Sequence, residues 1–105
     1  MASVGSSILP SPQSASSTTV TIFNTTATLA NTEYSQALPA NTKEFLMKVR
    51  GSAALKVAFI SGDSGTLYVT INKGAVLTVT QFFSSQTIYF QSPVAGSVVE
   101  IVAFS

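Results

Sequence analysis

Four carboxylates, Glu33, Glu44, Asp63 and Glu100, are the only acids in this 105-residue chain, which has no histidine and no cysteine. Hydrolysis of a glycoside needs two carboxylates facing one another across the scissile bond. These four are scattered, and no two stand at a spacing that sets up such a pair. Without histidine the commonest general base and metal ligand is missing, and no Ser-His-Asp triad can form. Without cysteine there is no disulfide framework and no thiolate metal site. Asp63 lies in the glycine-bounded run Ser61-Gly62-Asp63-Ser64-Gly65. A calcium site draws several oxygen ligands, usually with more than one carboxylate, so a turn residue is the preferred reading. No nucleophile elbow is present, and no glycine loop opens a helix that could cradle phosphate. The expectation is a protein that is not an enzyme and takes no cofactor or metal. Tyr34, Tyr68 and Tyr89 could stack on sugar faces, which keeps a glycan-binding module open, although tyrosines at the rim of a core are common.

The remaining polar chemistry is cationic. Lys43, Lys48, Arg50 and Lys56 cluster in sequence, but the net charge is only +1. Nucleic-acid binders show denser Lys/Arg clusters and a higher pI, so no nucleic-acid partner is expected. The cluster reads either as a solvated outer face or as a contact for an acidic surface on a partner protein. Charged residues make up 9% of the chain, against about 25% in an ordinary soluble domain. So little charge leaves little repulsion between copies, which implies a surface covered by partners in the working state. No apolar run approaches the roughly 18 residues of a membrane span, and the N-terminus lacks the basic and apolar regions of a signal peptide. Use without membrane insertion or secretion is expected.

The elements that must position these residues are strands. In Lys43–Ser61, Phe45, Met47 and Val49 alternate with Glu44, Lys48 and Arg50. Beyond Gly51-Ser52, Leu55, Val57 and Phe59 alternate with Lys56. Period-two alternation marks half-buried strands. A three-residue connection, Gly51-Ser52-Ala53, pairs Val49 with Leu55, Met47 with Val57 and Phe45 with Phe59. It makes one continuous apolar face and is the preferred register, although it sets Lys48 against Lys56. The alternative is a crossover that puts the two strands in different sheets of a sandwich.

The other segments follow the same rule. Thr18–Asn24 and Thr28–Ala37 read as strands, and Leu38–Thr42 as a turn around Pro39. Thr66–Asn72 alternates with Leu67, Val69 and Ile71 inward, and Asn72-Lys73-Gly74 reads as a hairpin turn. In Val76–Phe83, Leu77 and Val79 point inward, and Phe82 and Phe83 put rings on both faces. Thr87–Gln91 points Ile88 and Phe90 inward, Ser92–Gly96 is a turn, and Ser97–Phe104 is apolar on both sides. That last strand is either central or part of an interface. About eight short antiparallel strands and no helical period predict an all-β, jelly-roll-like β-sandwich over residues 19–105. Residues 1–18, uncharged and rich in serine with two prolines, read as an extended N-terminal arm. Ile8 and Leu9, just before Pro10, are its anchors for a neighbouring subunit.

The run YSQALPANTKEFLMKVRGSAALKVAFISGDSGTLYVTI, together with IYFQSPVAGSVVEIVAFS, resembles small β-rich virion proteins of tailed bacteriophages. The resemblance covers Tyr34 to Ser105 and leaves out the arm. It implies a structural protein of the virion, of the capsid decoration or cement type, that binds and stabilises the major capsid protein. A head-fibre, neck or tail subunit, or a glycan-binding fibre module, is the alternative that it also allows. Expected partners are further copies of the chain, as a dimer or trimer, and the major capsid protein. Expected interface residues are Ile8, Leu9, Pro10, Lys48, Arg50, Lys56, Phe82, Phe83 and Phe104.

Overall fold

The structure, a computed structural model, describes residues 19–51, 53–80 and 86–105. These residues form eight strands: β1 (Val20–Ala27), β2 (Tyr34–Ala37), β3 (Glu44–Arg50), β4 (Leu55–Ala58), β5 (Val69–Ile71), β6 (Leu77–Val79), β7 (Thr87–Gln91) and β8 (Ser97–Phe104). They make two four-stranded antiparallel sheets, ordered β1-β8-β3-β6 and β2-β7-β4-β5. The all-β, eight-stranded sandwich is what the alternating pattern predicts.

The core is the two inner faces in contact. Sheet one contributes Phe45, Met47, Val49, Val99, Ile101 and Ala103, and sheet two contributes Leu55, Val57, Ile71, Ile88 and Phe90. The rings of Phe45 and Phe59 pack at 6.3 Å, tilted by 60°. Each large side chain taken out of water here contributes about 1.5–3 kcal/mol of transfer free energy. Strand β8 lies between β1 and β3; its Val99, Ile101 and Ala103 face the core, while Val98, Val102 and Phe104 stay half-buried on the outer face.

The preferred register of the central pair is corrected. Strands β3 and β4 do not form a hairpin. They lie in different sheets, and Gly51, at φ +95°, stands where the chain leaves β3. Lys48 pairs with Glu100, and Lys56 lies opposite Thr70 and Gln91. The crossover lets both apolar faces meet across the sandwich and replaces a Lys–Lys pair by a Lys–Glu pair. Alternation alone is satisfied by either arrangement.

Four further expectations change. The strand expected over Thr66–Asn72 is only Val69–Ile71 long. Its residue Ile71 is buried, but Val69 is half exposed and Leu67 is 75% exposed. Residues 63–67 are instead drawn into a turn, in which the Asp63 carbonyl accepts from the Thr66 and Leu67 amides. The turn at Asn72–Ala75 is present, yet it joins strands of different sheets and is no hairpin. The strand expected over Thr28–Ala37 is restricted to β2, with Leu29 exposed. Leu38, read as part of a turn, belongs to the core. The turn after it is tied by Thr42 Oγ1, which donates to the Pro39 carbonyl at 2.7 Å.

Candidate functional site

The ladders fix which side chains share the outer face of sheet one. One row across it is Ile22, Val102, Leu46 and Thr78; the next is Asn24, Glu100 and Lys48. Val20, Phe104 and Glu44 form the row on one side, and Thr26, Val98 and Arg50 the row on the other. Arg50 Nη2 reaches Glu100 Oε2 at 2.8 Å, and Lys48 Nζ lies 3.8 Å from Glu100 Oε1. Exposed pairs of this kind contribute only about 0.2–1 kcal/mol each. Their consequence is compositional: the face carries Lys48 and Arg50 against Glu44 and Glu100, a balance of zero. What remains is uncharged: Asn24, Thr26 and Thr78 are polar and exposed, Val20 and Ile22 are exposed apolar side chains, and Leu46, Val98, Val102 and Phe104 are half-buried.

The second surface lies on sheet two, where the chain runs from β4 to β5. Ile60, Leu67, Tyr68 and Val69 are all exposed there. With Phe59 and Asp63 they line a shallow apolar groove of about 290 Å³. Lys56 Nζ sits 4.9 Å from the Tyr68 ring centroid, a cation–π contact that holds the ring against the sheet.

A carboxylate shapes this corner. Glu33 Oε1 accepts from Ser64 Oγ at 2.6 Å and from the Ser64 amide at 3.2 Å, and Glu33 Oε2 accepts from the Gly62 amide at 2.9 Å. Gln91 Nε2 donates to Ser64 Oγ at 3.1 Å, so Ser64 is buried with both its donor and acceptor capacity in use. Gly65 leaves room for this, since a Cβ there would stand 3.1 Å from Gln91 Nε2. Donation from the Ser64 hydroxyl lowers the Glu33 pKa. Burial opposes the shift, and the Gly62 and Ser64 amides add to it. A folded-state pKa below the unfolded one means that this carboxylate stabilises the fold above its unfolded value, and that the contribution is lost as pH falls through the folded value. Glu33→Gln is expected to destabilise by about 1 kcal/mol at neutral pH, as for a lost charge-assisted hydrogen bond. Thermal midpoints measured on both proteins from neutral to acid should converge as the wild-type carboxylate protonates.

The two apolar surfaces lie on opposite flanks of the sandwich. Strand β1 borders β2, with Thr25 Oγ1 donating to Gln36 Oε1 at 2.9 Å, and the short turn at 72–75 joins β5 to β6. The two sheet orders therefore run in the same direction, which leaves β1 on one side and β5 on the other.

The expected interface residues are thus divided. Lys48, Arg50 and Phe104 share the outer face of sheet one. Lys56 lies on the outer face of sheet two, so it cannot join Lys48 and Arg50 in one cationic patch. Ile8, Leu9, Pro10, Phe82 and Phe83, and the arm as a whole, lie outside the described residues. The tyrosines are not gathered either: the Tyr34 hydroxyl accepts from the Leu29 amide at 3.0 Å, while Tyr89 lines a separate groove of about 470 Å³ with Leu38, Phe59 and Gln86. Among the described residues no group of three or more Asp, Glu, His or Cys could hold a metal ion. Glu33 and the corner at Ile60–Val69 were missed by sequence reasoning. The run Ser-Gly-Asp-Ser-Gly marks the loop, but nothing in it points to a carboxylate some 30 residues earlier. No family model, curated protein or solved structure matches the chain.

Proposed function

We propose that this chain is a structural subunit of a tailed-phage virion, a decoration or cement protein that stabilises the capsid shell by binding its neighbours. The observation that carries this reading is the pair of exposed apolar surfaces on opposite flanks, Val20 and Ile22 on one and Ile60, Leu67, Tyr68 and Val69 on the other. A cement must hold two neighbours at once, so it needs two separate surfaces. Contiguous exposed apolar side chains are where a protein offers contact to a partner, and the sparse charge of this chain does not oppose close contact.

The sandwich is, on this proposal, a jelly roll. Its support is the pairing of β1 with β8, β2 with β7, β3 with β6 and β4 with β5. A single long antiparallel ribbon, bent double and rolled into two sheets, has these pairs, and that is the double Greek key of such folds. Residues 1–18 serve as a tether to a neighbouring subunit through Ile8, Leu9 and Pro10, and a tethered contact raises the effective concentration of the second one. Phe104, Lys48 and Arg50 line the contact on sheet one, and Lys56 borders the one on sheet two.

Co-sedimentation with shells assembled from the major capsid protein alone tests the reading. Saturable binding in fixed proportion to the shell subunits, with a higher shell melting temperature, is the expected outcome. Protein that stays in the supernatant at every concentration refutes the cement role.

A further inference from the structure

Strand β1 is the one long edge of the described sandwich. The other edge strands are short: β2 has four residues, and β5 and β6 have three each. Strand β1 has eight, VTIFNTTA, with no charge and no proline. Natural sheets guard an edge by keeping it short, by placing lysine or proline on it, or by covering it. The first two devices are missing from β1, and among the described residues no strand lies beyond it.

The hydrogen-bond phase shows which groups this edge offers. Thr19 and Ser105 exchange both backbone bonds, each at 2.9 Å. In an antiparallel ladder such pairs alternate with non-bonded ones. Thr21, Phe23, Thr25 and Ala27 therefore turn their N–H and C=O groups toward β8, and Val20, Ile22, Asn24 and Thr26 turn theirs outward. These same four residues put their side chains on the outer face, where Val20 and Ile22 are 60% and 65% exposed.

We propose that this edge pairs antiparallel with the β1 edge of a second copy, giving an eight-stranded sheet across a two-fold axis. An isologous contact needs a self-complementary surface, and this edge meets the condition. It is uncharged, so two copies meet without repulsion, and the nearest charge, Glu100, is already paired with Lys48 and Arg50. Outward-bonding residues can bond only to outward-bonding residues of the other copy. Every bonded register therefore keeps the outer faces on one side, and a register that sets Ile22 against Ile22 or Asn24 of the second copy brings the exposed Ile22 of both copies into one apolar band with Val102 and Leu46. The inference deepens the assembly reading above by naming the partner and the surface, but it is separable from that reading: dimerisation without shell binding would sink only the cement role, and shell binding by a monomer would sink only this one.

Sedimentation equilibrium of the full chain, with amide exchange read residue by residue, provides the test. The expected species has twice the 10.9 kDa chain mass, with the amides of Val20, Ile22, Asn24 and Thr26 protected. Ile22→Lys places two like charges at the contact and should weaken the dimer by about tenfold or more, expose those four amides and leave the melting temperature of the monomer unchanged. Leu67→Lys, on the opposite flank, should leave the dimer intact. A monomer at high concentration, a closed trimer, or a dimer whose four amides exchange freely overturns the proposal.

Discussion

Phe45→Ala is expected to remove about 3–5 kcal/mol of stability, the usual cost of truncating a buried aromatic ring. Phe45 is fully buried on β3, between β8 and β6, and packs on Phe59 from the other sheet. It therefore joins the two layers as well as filling its own. A domain of this size has only about 5–15 kcal/mol in total, so the variant should lie near or beyond the edge of folding at 37 °C. Urea titration followed by far-ultraviolet circular dichroism measures the loss. Ile22→Ala, on the exposed face, serves as the comparison and should change the stability of the monomer by no more than about 0.5 kcal/mol.

The contrast between Phe45 and Ile22 shows how much of this fold is legible in the chain. For Phe45, Met47 and Val49, alternation with charged residues identifies the inner face directly, and the same holds for Ile88 and Phe90. For Val20 and Ile22 alternation identifies a shared face without saying which side it takes, because Phe23 on the other side is apolar too. The structure turns Phe23 toward the core and leaves Ile22 outside. Pairing is harder still. A hairpin between β3 and β4 and a crossover between sheets satisfy the same local pattern, and the decision rests on β8, whose Val99, Ile101 and Glu100 are the partners that β3 takes. Partners fifty residues apart leave no local signal. Loop residues suffer most: the clean alternation of TLYVTIN is overruled at Leu67 by the turn that Asp63 closes and Glu33 holds.

The second large effect concerns the corner on sheet two. Ile60→Asp combined with Leu67→Asp is expected to weaken binding to capsid shells by about 100-fold, because truncating a central apolar contact costs about 2 kcal/mol and these changes also set charge against the partner. Ile60 and Leu67 are 65% and 75% exposed, so the melting temperature should hold. Val94→Asp, also exposed but in the turn before β8, should bind as the wild type does. Loss of binding in the Val94 variant and not in the corner variant would move the contact to the other end of the sandwich. Substitution at Glu33 should give an intermediate result, since it loosens the loop that presents Ile60 and Leu67 without removing either side chain.

The most direct measurement of the proposed virion role is quantitative mass spectrometry of purified particles of a tailed phage that carries the gene for this chain, with the major capsid protein as internal standard. A decoration protein is expected in many copies per particle, in a fixed integer ratio to the shell subunits, and retained through density-gradient purification. Particles that are complete and infectious yet contain none of this chain would contradict the proposed role.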